Sequence, residues 1–532
     1  MTNSFWDFFK NKKISYKILL CLFALLFTKS ITITPFSLVS GVLGVILGIV
    51  LWISIYCALF FAAYLAEKVS LKFKKTAVNK SIILLYMLPS LILCSAMLAV
   101  YFPAIMSWDS MYIWQSAMTG DYSSLHPITY VLFVKLLSNI AQSPWIVVAV
   151  QLIYSSFVFG YIGYVFESMG LSRKLCWLAV LILSFYPVHV YSNISMLKDV
   201  LYIMSLVLLS AILIKSVSED RFTFGTAGAV AGVALIAMFS RHNGLLSVPP
   251  ALVIFAIYYF VKKKRAEAIK AVAVAILAVV CFFVTNEAIV KKLGNNYWER
   301  SSASDIIMTP TAQLTYTINK NWKIMSESEQ EAAEKFLDLG YIKFQADTIK
   351  NWEFNNRYLE SIHLENIMAD KQGFMKFYLD IFKNYPHDMI KEYEQLTGIV
   401  WAAPDYGYTL VRNYGIPKDY PDLDMRSAKP FPRIYAYLDS LGNIYFLVRP
   451  ALWLMLSIFT LFIVKKGHRL SAFIIALPTF ANAAGYLFGT PAQNVRYLYS
   501  SFSCFIILLV FAFMVNGIQK TKADKAALQK EG

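Results

Sequence analysis

Long apolar stretches separated by short polar segments run through the whole chain. Twelve of them have the length of a membrane-crossing helix, at residues 14–33, 38–66, 81–102, 144–166, 175–192, 200–217, 222–240, 245–262, 268–290, 444–464, 470–489 and 495–516. A helix needs about 20 mostly apolar residues to cross the hydrocarbon core of a bilayer. The pattern predicts an all-α polytopic membrane protein with about twelve transmembrane helices.

Basic residues follow every second predicted span, and a further cluster precedes the first one. The clusters include Lys12 and Lys13, Lys74 and Lys75, Arg173 and Lys174, Lys215 and Arg221, Lys263 and Lys264, Lys465 and Lys466, and Lys520 and Lys522. If the spans alternate in direction, all of these clusters lie on one side. The positive-inside rule assigns that side to the cytoplasm, so we expect a multi-pass protein of the cell membrane with both termini inside.

The opposite, extracytoplasmic side then receives the segments 103–143, 190–200, 241–244, 291–443 and 490–495. Within the first of them, residues 128–140 are apolar but too short to cross a membrane, and we predict a helix lying in the interface. The predicted domains are a transmembrane region (1–290) with an outer loop (103–143), a soluble module (291–443), a second transmembrane region (444–519) and a basic cytoplasmic tail (520–532).

The soluble module is predicted to be mostly helical. Ser326 and Glu329 have the spacing of a capping box, which opens a helix that we expect to end at Gly340. A second amphipathic helix is predicted from Lys371 to Thr397, interrupted at Pro386. An extended loop at residues 403–432 is expected to return to the membrane.

Composition and motif content exclude several classes of function. The net charge of +16 resembles that of a nucleic-acid-binding protein, but the basic residues flank apolar stretches, so we expect membrane lipid and no nucleic acid as a partner. All six cysteines lie inside apolar stretches, which argues against a disulfide framework. The chain has no Walker motif, nucleotide-binding glycine pattern or serine-hydrolase elbow.

The principal candidate for chemistry is Asp109, a few residues after the third predicted span. A carboxylate at the outer membrane surface can act as a general base on an acceptor, or can bind a divalent cation. A structural explanation, which physics alone slightly favours, has Asp109 begin a helix that Ser107 or Asp109 caps, with Trp108 part of an interfacial aromatic belt. No cofactor follows from the residues, and a divalent cation at Asp109 is the one alternative left open.

Three cations lie on the outer side, against the positive-inside trend: Lys198, Arg241 and Arg496. A phosphate group would explain them. Snorkelling anchors would also explain Lys198 and Arg496, and an ion pair with another loop would explain Arg241. The remaining candidates for substrate contact lie in the same segments: Trp108, Asp121, His126, Asp199, His242, Asn243 and Tyr497. Asp121 equally fits an ordinary turn, and His126 lacks the neighbours of a metal site.

In the soluble module, Asp305, Asp347, Asp405 and the aromatic segment 401–408 could contact a sugar acceptor, or be ordinary residues of the fold.

An acidic residue in the first large outer loop, followed by an interfacial helix opened by His126-Pro127, resembles the GT-C superfamily of membrane glycosyltransferases. More closely, the chain is similar to a family of bacterial multi-pass proteins usually grouped with them. The matching motifs are Trp108-Asp109, His126-Pro127, Met196-Leu197-Lys198-Asp199, Arg241-His242-Asn243 and Asn494-Val495-Arg496-Tyr497. The resemblance implies a polyprenyl-phosphate-linked sugar as donor, Asp109 as the acceptor-activating base, and Lys198, Arg241 and Arg496 facing the donor phosphate.

The chain departs from the superfamily pattern in two ways. Asp109 stands alone where many of these enzymes have paired acidic residues, and the soluble module lies between spans nine and ten instead of after the last span. The leading hypothesis is an inverting glycosyltransferase that moves a sugar to a cell-envelope glycan, glycolipid or protein. The alternatives are a polysaccharide polymerase or ligase with its key residues in 291–443, such as Arg433, and a transporter or flippase of lipid-linked intermediates.

Overall fold

The protein is a bundle of long helices with a smaller helical module inserted near its C-terminal end. The computed structural model describes residues 5–32, 42–69, 73, 77–298, 308–340, 362–403, 448–489 and 494–531. The helices of the first part are α1 Phe5–Asn11, α2 Ile14–Thr32, α3 Val42–Lys68, α4 Ile82–Val100, α5 Trp108–Thr119, α6 Ile128–Ser138, α7 Trp145–Ser168, α8 Arg173–Phe185, α9 Pro187–Asn193, α10 Lys198–Glu219, α11 Phe224–Ser240, α12 Asn243–Val261 and α13 Arg265–Leu293.

The remaining helices form the inserted module and the last part of the bundle. In the module, defined here as residues 308–403, they are α14 Met308–Asn321, α15 Glu327–Phe336, α16 Leu364–Ala369, α17 Lys371–Asn384, α18 Pro386–Leu396 and α19 Gly398–Trp401. The bundle is completed by α20 Pro450–Ile463, α21 Arg469–Phe488 and α22 Ser500–Glu531. Two short strands, β1 Tyr122–Ser123 and β2 Tyr297–Trp298, pair in parallel.

Nine helices in the described part of the chain are long and apolar enough to cross a membrane, namely α2, α3, α4, α7, α10, α12, α13, α21 and α22. The bent pair α8 and α9 makes a tenth if it counts as one span, and α11 and α20 are apolar but shorter. The prediction of an all-α polytopic membrane protein is confirmed. Each of the twelve predicted stretches contains a helix, whereas a total of twelve spans stays a prediction.

The stretch at 175–192, predicted as one span, is broken into α8 and α9 with a bend of 60°. Pro187 lacks the backbone N–H that would continue α8. Tyr186, just before it, has φ −62° and ψ 120°, the extended conformation that a residue preceding proline favours. The sequence pattern, which shows apolar residues on both sides of the break, did not indicate this bend.

Helix α10 lies at the centre of the bundle. Nearly its whole length is buried, and α7, α11, α21 and α22 pack around it. Its first residue is Lys198, so the central helix begins with a charged side chain. The end of the bundle at which α10 begins also carries α5, and is called the α5 face below.

The helix predicted at residues 128–140 is present as α6, which ends at Ser138, two residues earlier than expected, while its location in the membrane interface stays a prediction. One side of α6 is buried against its neighbours, including Ile128, Val131 and Val134. The Thr129 hydroxyl donates to the carbonyl of Phe239 at the end of α11, at 2.7 Å. The helix is therefore fixed to the bundle on one side.

The inserted module has its own apolar core, which includes Phe336, Phe374, Phe377, Ile381 and Met389. The predicted capping box is confirmed, because the side chains of Ser326 and Glu329 each bond the other residue's backbone N–H. The helix does not continue to Gly340. It ends at Phe336, since Leu337 leaves the helix to pair with Ile362 in an antiparallel bridge. The second predicted helix is present as α17 and α18, with the interruption at Pro386.

The module is attached to the bundle through its last helices. The Tyr393 hydroxyl donates to the carbonyl of Leu487 in α21 at 2.8 Å, and the Ala403 N–H donates to the carbonyl of Ser30 in α2 at 2.9 Å. The predicted loop after residue 403 and the candidates Asp305, Asp347, Asp405 and Arg433 lie outside the described residues.

Candidate functional site

A backbone pairing brings the start of α5 beside the start of α10. The Ile105 N–H donates to the carbonyl of Ile194 at 3.0 Å, and the Met196 N–H donates to the carbonyl of Ile105 at 3.1 Å. Because both helices begin a few residues later, Asp109 and Lys198 emerge next to each other. This contact joins two segments that are almost ninety positions apart in the sequence.

Ser107, and not Asp109, caps α5. Its hydroxyl accepts from the Ser110 N–H at 3.2 Å, and the Ser110 side chain accepts from the Ser107 N–H at 3.1 Å. The Ser110 hydroxyl also lies 2.6 Å from the carbonyl of Met196, to which it donates, tying the first turn of α5 to the segment before α10. Of the two caps that the sequence allows, Ser107 is the one used, so the Asp109 carboxylate is available to other partners.

The carboxylate of Asp109 is paired with two of the three predicted cations. Its Oδ2 atom lies 2.7 Å from Nη2 of Arg496 and 3.6 Å from Nζ of Lys198. The Asp109 side chain is 32% exposed, whereas those of Arg496 and Lys198 are 11% and 10% exposed. The carboxylate therefore lies at the mouth of the site, and the two cations lie beneath it.

A second layer of charge is buried behind the first. Asp199 is almost fully buried and forms an ion pair with Arg241, and its other oxygen lies 3.8 Å from Nη1 of Arg496. The ion-pair explanation for Arg241 thus accounts for its position on this face, since Asp199 comes from another part of the chain, the first turn of α10. Arg496 bridges the two layers, because it contacts both carboxylates. We call the five residues Asp109, Lys198, Asp199, Arg241 and Arg496 the charge cluster.

Aromatic rings support the charge cluster from below. The Tyr497 and Tyr486 rings are stacked with their centroids 5.2 Å apart, and the Arg241 guanidinium lies 4.4 Å from the centroid of Tyr497. The side-chain amide of Asn482 donates to the carbonyl of Tyr497 at 2.9 Å and accepts from the Tyr202 hydroxyl at 2.8 Å. These contacts link α10 and α21 to the short 3-10 helix Val495–Tyr497 that carries Arg496.

His126 is buried beside Lys198 and acts as a hydrogen-bond acceptor. Nζ of Lys198 donates to Nδ1 of His126 at 2.8 Å, and the Tyr112 ring lies edge-on to the imidazole at 5.4 Å. Burial lowers the pKa of His126 well below its usual range, and the charge of Lys198 lowers it further. The imidazole is therefore neutral at physiological pH and holds the Lys198 ammonium in position.

The charge cluster carries an excess of positive charge within the described residues. It contains three cations but two carboxylates, and the neutral His126 adds no charge. Burial raises the pKa of Asp109, but Arg496 and Lys198 outweigh that effect and hold the pKa well below its usual range. A partly buried site with one uncompensated positive charge favours an anionic ligand.

The other predicted residues surround this cluster, with one exception. Trp108 is exposed at the rim, His242 contacts the backbone of Ser124, and the side chain of Asn243 bonds Tyr486. Asp121 is exposed in the turn after α5, where its carbonyl accepts from the Ser116 hydroxyl at 2.5 Å. Its carboxylate forms none of the ion pairs found in the described ranges, as expected for a turn residue.

Sequence reasoning missed the residues that hold the cluster together. Ser107 and Ser110 were not singled out as a pair, although a capping signal of this kind precedes a helix. Tyr202, Tyr486 and Asn482 lie inside apolar stretches. Of these three, only Asn482 is a polar residue type that is unusual in such a stretch and could have been singled out from the sequence. Their importance depends on long-range contacts that no local pattern shows.

The donor set around the cluster does not suit a metal ion. The described part of the chain contains no group of three or more His, Cys, Asp and Glu side chains arranged to hold one. Asp109 and Asp199 each face cationic side chains, which would repel a divalent cation, and Nδ1 of His126 is occupied by Lys198.

The sequence matches no known family model, and no curated protein is similar enough to count as a relative.

Proposed function

We propose that the protein is an inverting glycosyltransferase that moves a sugar from a polyprenyl-phosphate donor to a cell-envelope acceptor on the extracytoplasmic face of the membrane. The observation that carries this proposal is the charge cluster, in which a partly exposed carboxylate lies directly above buried cations with an excess of positive charge. An anionic lipid head group is the ligand that a membrane protein would place at such a site.

The position of the cluster suits a donor with a long apolar chain. Lys198 begins the central membrane-length helix, and Arg496 precedes α22, so the cations lie where an apolar chain can remain among the helices. A lipid-linked sugar would then place its phosphate at Arg496 and Lys198 and its sugar towards Asp109.

The chemistry requires one base and one stabilised leaving group. Asp109 accepts the proton of the acceptor hydroxyl, whose oxygen attacks the anomeric carbon. The bond between that carbon and the phosphate oxygen breaks, and its electron pair leaves with polyprenyl phosphate. Arg496 and Lys198 stabilise the negative charge that develops on the phosphate. A single displacement inverts the anomeric centre, and the step needs no metal ion because the side chains supply the positive charge.

The acceptor side of the site is formed by different parts of the chain. The strand β1 after α5 pairs with β2, which precedes the inserted module in the sequence. An acceptor glycan, glycolipid or protein would approach between α5 and this module, on the side where Trp108 is exposed.

The proposal is tested by sugar transfer from polyprenyl-phosphate-linked sugars, with hexose and pentose donors, to membrane extracts that contain envelope acceptors. Asp109→Asn should lower transfer at least a hundredfold, the usual minimum contribution of a general base, about 10²- to 10⁴-fold. The matched control is Asp380→Asn, an exposed carboxylate of α17 that should leave transfer unchanged. Full transfer by a correctly folded Asp109→Asn protein would refute the proposal.

A flippase of lipid-linked intermediates is the second candidate, and the bend between α8 and α9 favours it. Transporters place broken helices within the membrane, and the buried His189 lies just after this break. Flipping of a fluorescent polyprenyl-phosphate lipid in proteoliposomes separates the two activities. Flipping without any sugar transfer would favour this candidate over the enzyme.

A further inference from the structure

We infer that Asp109 occupies the phosphate subsite of Arg496 and Lys198 in the free protein, and that the donor phosphate displaces it. The carboxylate becomes an effective base only after this exchange, so the donor must bind before the acceptor can react. The order of binding, donor before acceptor, rests on the proposed function. The displacement of Asp109 by a phosphate anion does not depend on it.

The order of the layers makes the exchange necessary. Arg496 and Lys198 are only about one-tenth exposed, and the Asp109 carboxylate covers them from the mouth of the site. The other side of Arg496 is occupied by Asp199 and the ring of Tyr497. An anion that reaches the guanidinium from the mouth must therefore take the position of Asp109.

The charges balance in the exchanged state. A sugar phosphodiester carries one negative charge, the same charge as the carboxylate it replaces at Arg496. Asp109 remains nearby, and the three cations then face two carboxylates and one phosphate anion. The excess positive charge of the free cluster is thereby neutralised, which favours the bound state.

The surrounding structure lets Asp109 move while the cations stay in place. Because Ser107 caps α5, rotation of the Asp109 side chain costs the helix no cap. Lys198 stays bonded to His126, and Arg496 keeps its contacts with Asp199 and Tyr497. The exchange therefore needs a rotamer change of one short side chain at the surface of the site.

The ion pair with Arg496 also explains why Asp109 would be an ineffective base before the donor binds. A carboxylate that is hydrogen-bonded to a guanidinium is stabilised in its ionised form and accepts a proton poorly. When the phosphate takes over Arg496, the carboxylate loses its cation and gains a neighbouring anion, so its basicity rises. After transfer, Asp109 releases its proton to water and can return to Arg496, which assists the departure of polyprenyl phosphate.

Binding measurements on the full chain in lipid nanodiscs test the exchange. The probes are polyprenyl monophosphate and inorganic phosphate, each titrated against the wild-type protein and Asp109→Asn. Removing the resident carboxylate should tighten phosphate binding about tenfold, the effect of one lost competing ion pair. Tightening with both probes shows that the subsite recognises the phosphate alone, and tightening with the lipid probe alone shows that the chain is needed. Either result supports the exchange.

Unchanged or weaker binding by Asp109→Asn would overturn the inference. Asp109→Ala serves as a second variant if the first one misfolds, and Asp380→Asn serves as the control. Tighter phosphate binding by Asp109→Asn, together with no sugar transfer by the wild-type protein, would support the exchange and reject the enzyme. Transfer without tightening would support the enzyme and reject the exchange.

A kinetic measurement distinguishes two reasons for tighter phosphate binding by Asp109→Asn. Asp109 either occupies the phosphate subsite or only repels the phosphate through its charge. If the exchange occurs, the fall of kcat at acid pH reports the pKa of the Asp109 carboxylate after the donor has displaced it from Arg496. The fall of kcat/KM for the donor at acid pH reports the pKa of the same carboxylate while it is still paired with Arg496. The fall of kcat should therefore occur at a higher pH than the fall of kcat/KM. A fall of both at the same pH, or random instead of ordered addition of donor and acceptor, would contradict the inference.

Discussion

At the scale of single residues, the account depends on how Asp109 and Arg496 share their charges. The carboxylate is the exposed partner and the guanidinium is the buried one, held by Asp199 on its inner side. The planar guanidinium faces the two carboxylates with two different nitrogens, Nη2 towards Asp109 and Nη1 towards Asp199, which the single nitrogen of an ammonium group does not offer. This geometry gives Arg496 the central place among the three cations.

The bridging role of Arg496 leads to a prediction about phosphate binding. Arg496→Gln should weaken the binding of polyprenyl monophosphate about 10- to 100-fold, as expected for a lost charge-assisted hydrogen bond. Arg496→Lys keeps the charge but loses one of the two contacts, so its effect should be intermediate. Lys376→Gln, at an exposed position on α17, is the control. If the wild type and the three variants bind polyprenyl monophosphate with equal affinity, the phosphate does not bind at Arg496.

The low pKa of Asp109 predicts how stability depends on pH. Its folded-state pKa lies below the unfolded value, so the ion pair stabilises the protein above the ordinary carboxyl pKa of about 4 and is lost as the pH falls further. Asp109→Asn should therefore unfold at a lower temperature than the wild type at pH 7. The difference should shrink as the pH falls from about 5 to about 3. A difference that stays constant with pH would show that Asp109 contributes no such ion pair.

The residues of the charge cluster were predictable from the sequence, but their partners were not. Cations on the outer side of a membrane protein are unusual, and this singled out Lys198, Arg241 and Arg496. The pairing of Arg241 with Asp199 depends on the fold, because Asp199 lies in the first turn of α10 and Arg241 lies in the link between α11 and α12. Asp121 was included for its place in the loop, yet its side chain is exposed in a turn.

At the scale of elements, the first turn of α5 positions the catalytic candidate. Ser110 closes the capping box with Ser107 and also bonds the backbone ahead of α10. The helix start and the contact with α10 therefore depend on the same hydroxyl.

This double role predicts that Ser110→Ala should affect transfer more than stability. Loss of the hydrogen bond from the Ser107 N–H and of the bond to Met196 should cost about 1–2 kcal/mol of unfolding free energy, while the Ser107 cap itself remains. It should also lower kcat, because Asp109 loses its alignment over Arg496. The matched control is Ser326→Ala, which removes the capping box of α15 in the inserted module. It should cost similar stability and leave kcat unchanged, and equal kcat losses in both variants would contradict this role.

Helix types were predictable from periodicity, whereas breaks and ends depended on backbone details. The interruption at Pro386 was expected because a single proline lies within an amphipathic pattern. The bend at Pro187 was missed because the residues around it are apolar on both sides. The early end of α15 follows from the pairing of Leu337 with Ile362, a long-range contact that Gly340 gave no reason to expect.

At the scale of the whole molecule, the proposal requires the α5 face and the inserted module to lie on the extracytoplasmic side. The alternating pattern of basic residues predicts this orientation. The module is joined to the bundle by contacts such as that of Tyr393 with Leu487, near the C-terminal end of α21. The module and this end of α21 must therefore lie on the same side of the membrane.

The orientation can be measured by labelling substituted cysteines with a membrane-impermeant maleimide in intact cells. Glu331→Cys in the inserted module should react without permeabilisation. Gly467→Cys, between α20 and α21, should react only after the membrane is opened, because it lies among Lys465 and Lys466 at the predicted cytoplasmic end. Labelling of Gly467→Cys in intact cells would reverse the topology and exclude an extracytoplasmic site.

The central claim is that the charge cluster binds the phosphate of a lipid donor beside Asp109. A structure of the protein in nanodiscs with polyprenyl monophosphate tests it most directly. The account predicts phosphate oxygens within about 3 Å of the Arg496 guanidinium, with Lys198 in contact and the Asp109 carboxylate turned away from Arg496. A phosphate bound elsewhere, with the pair between Asp109 and Arg496 intact, would contradict the account.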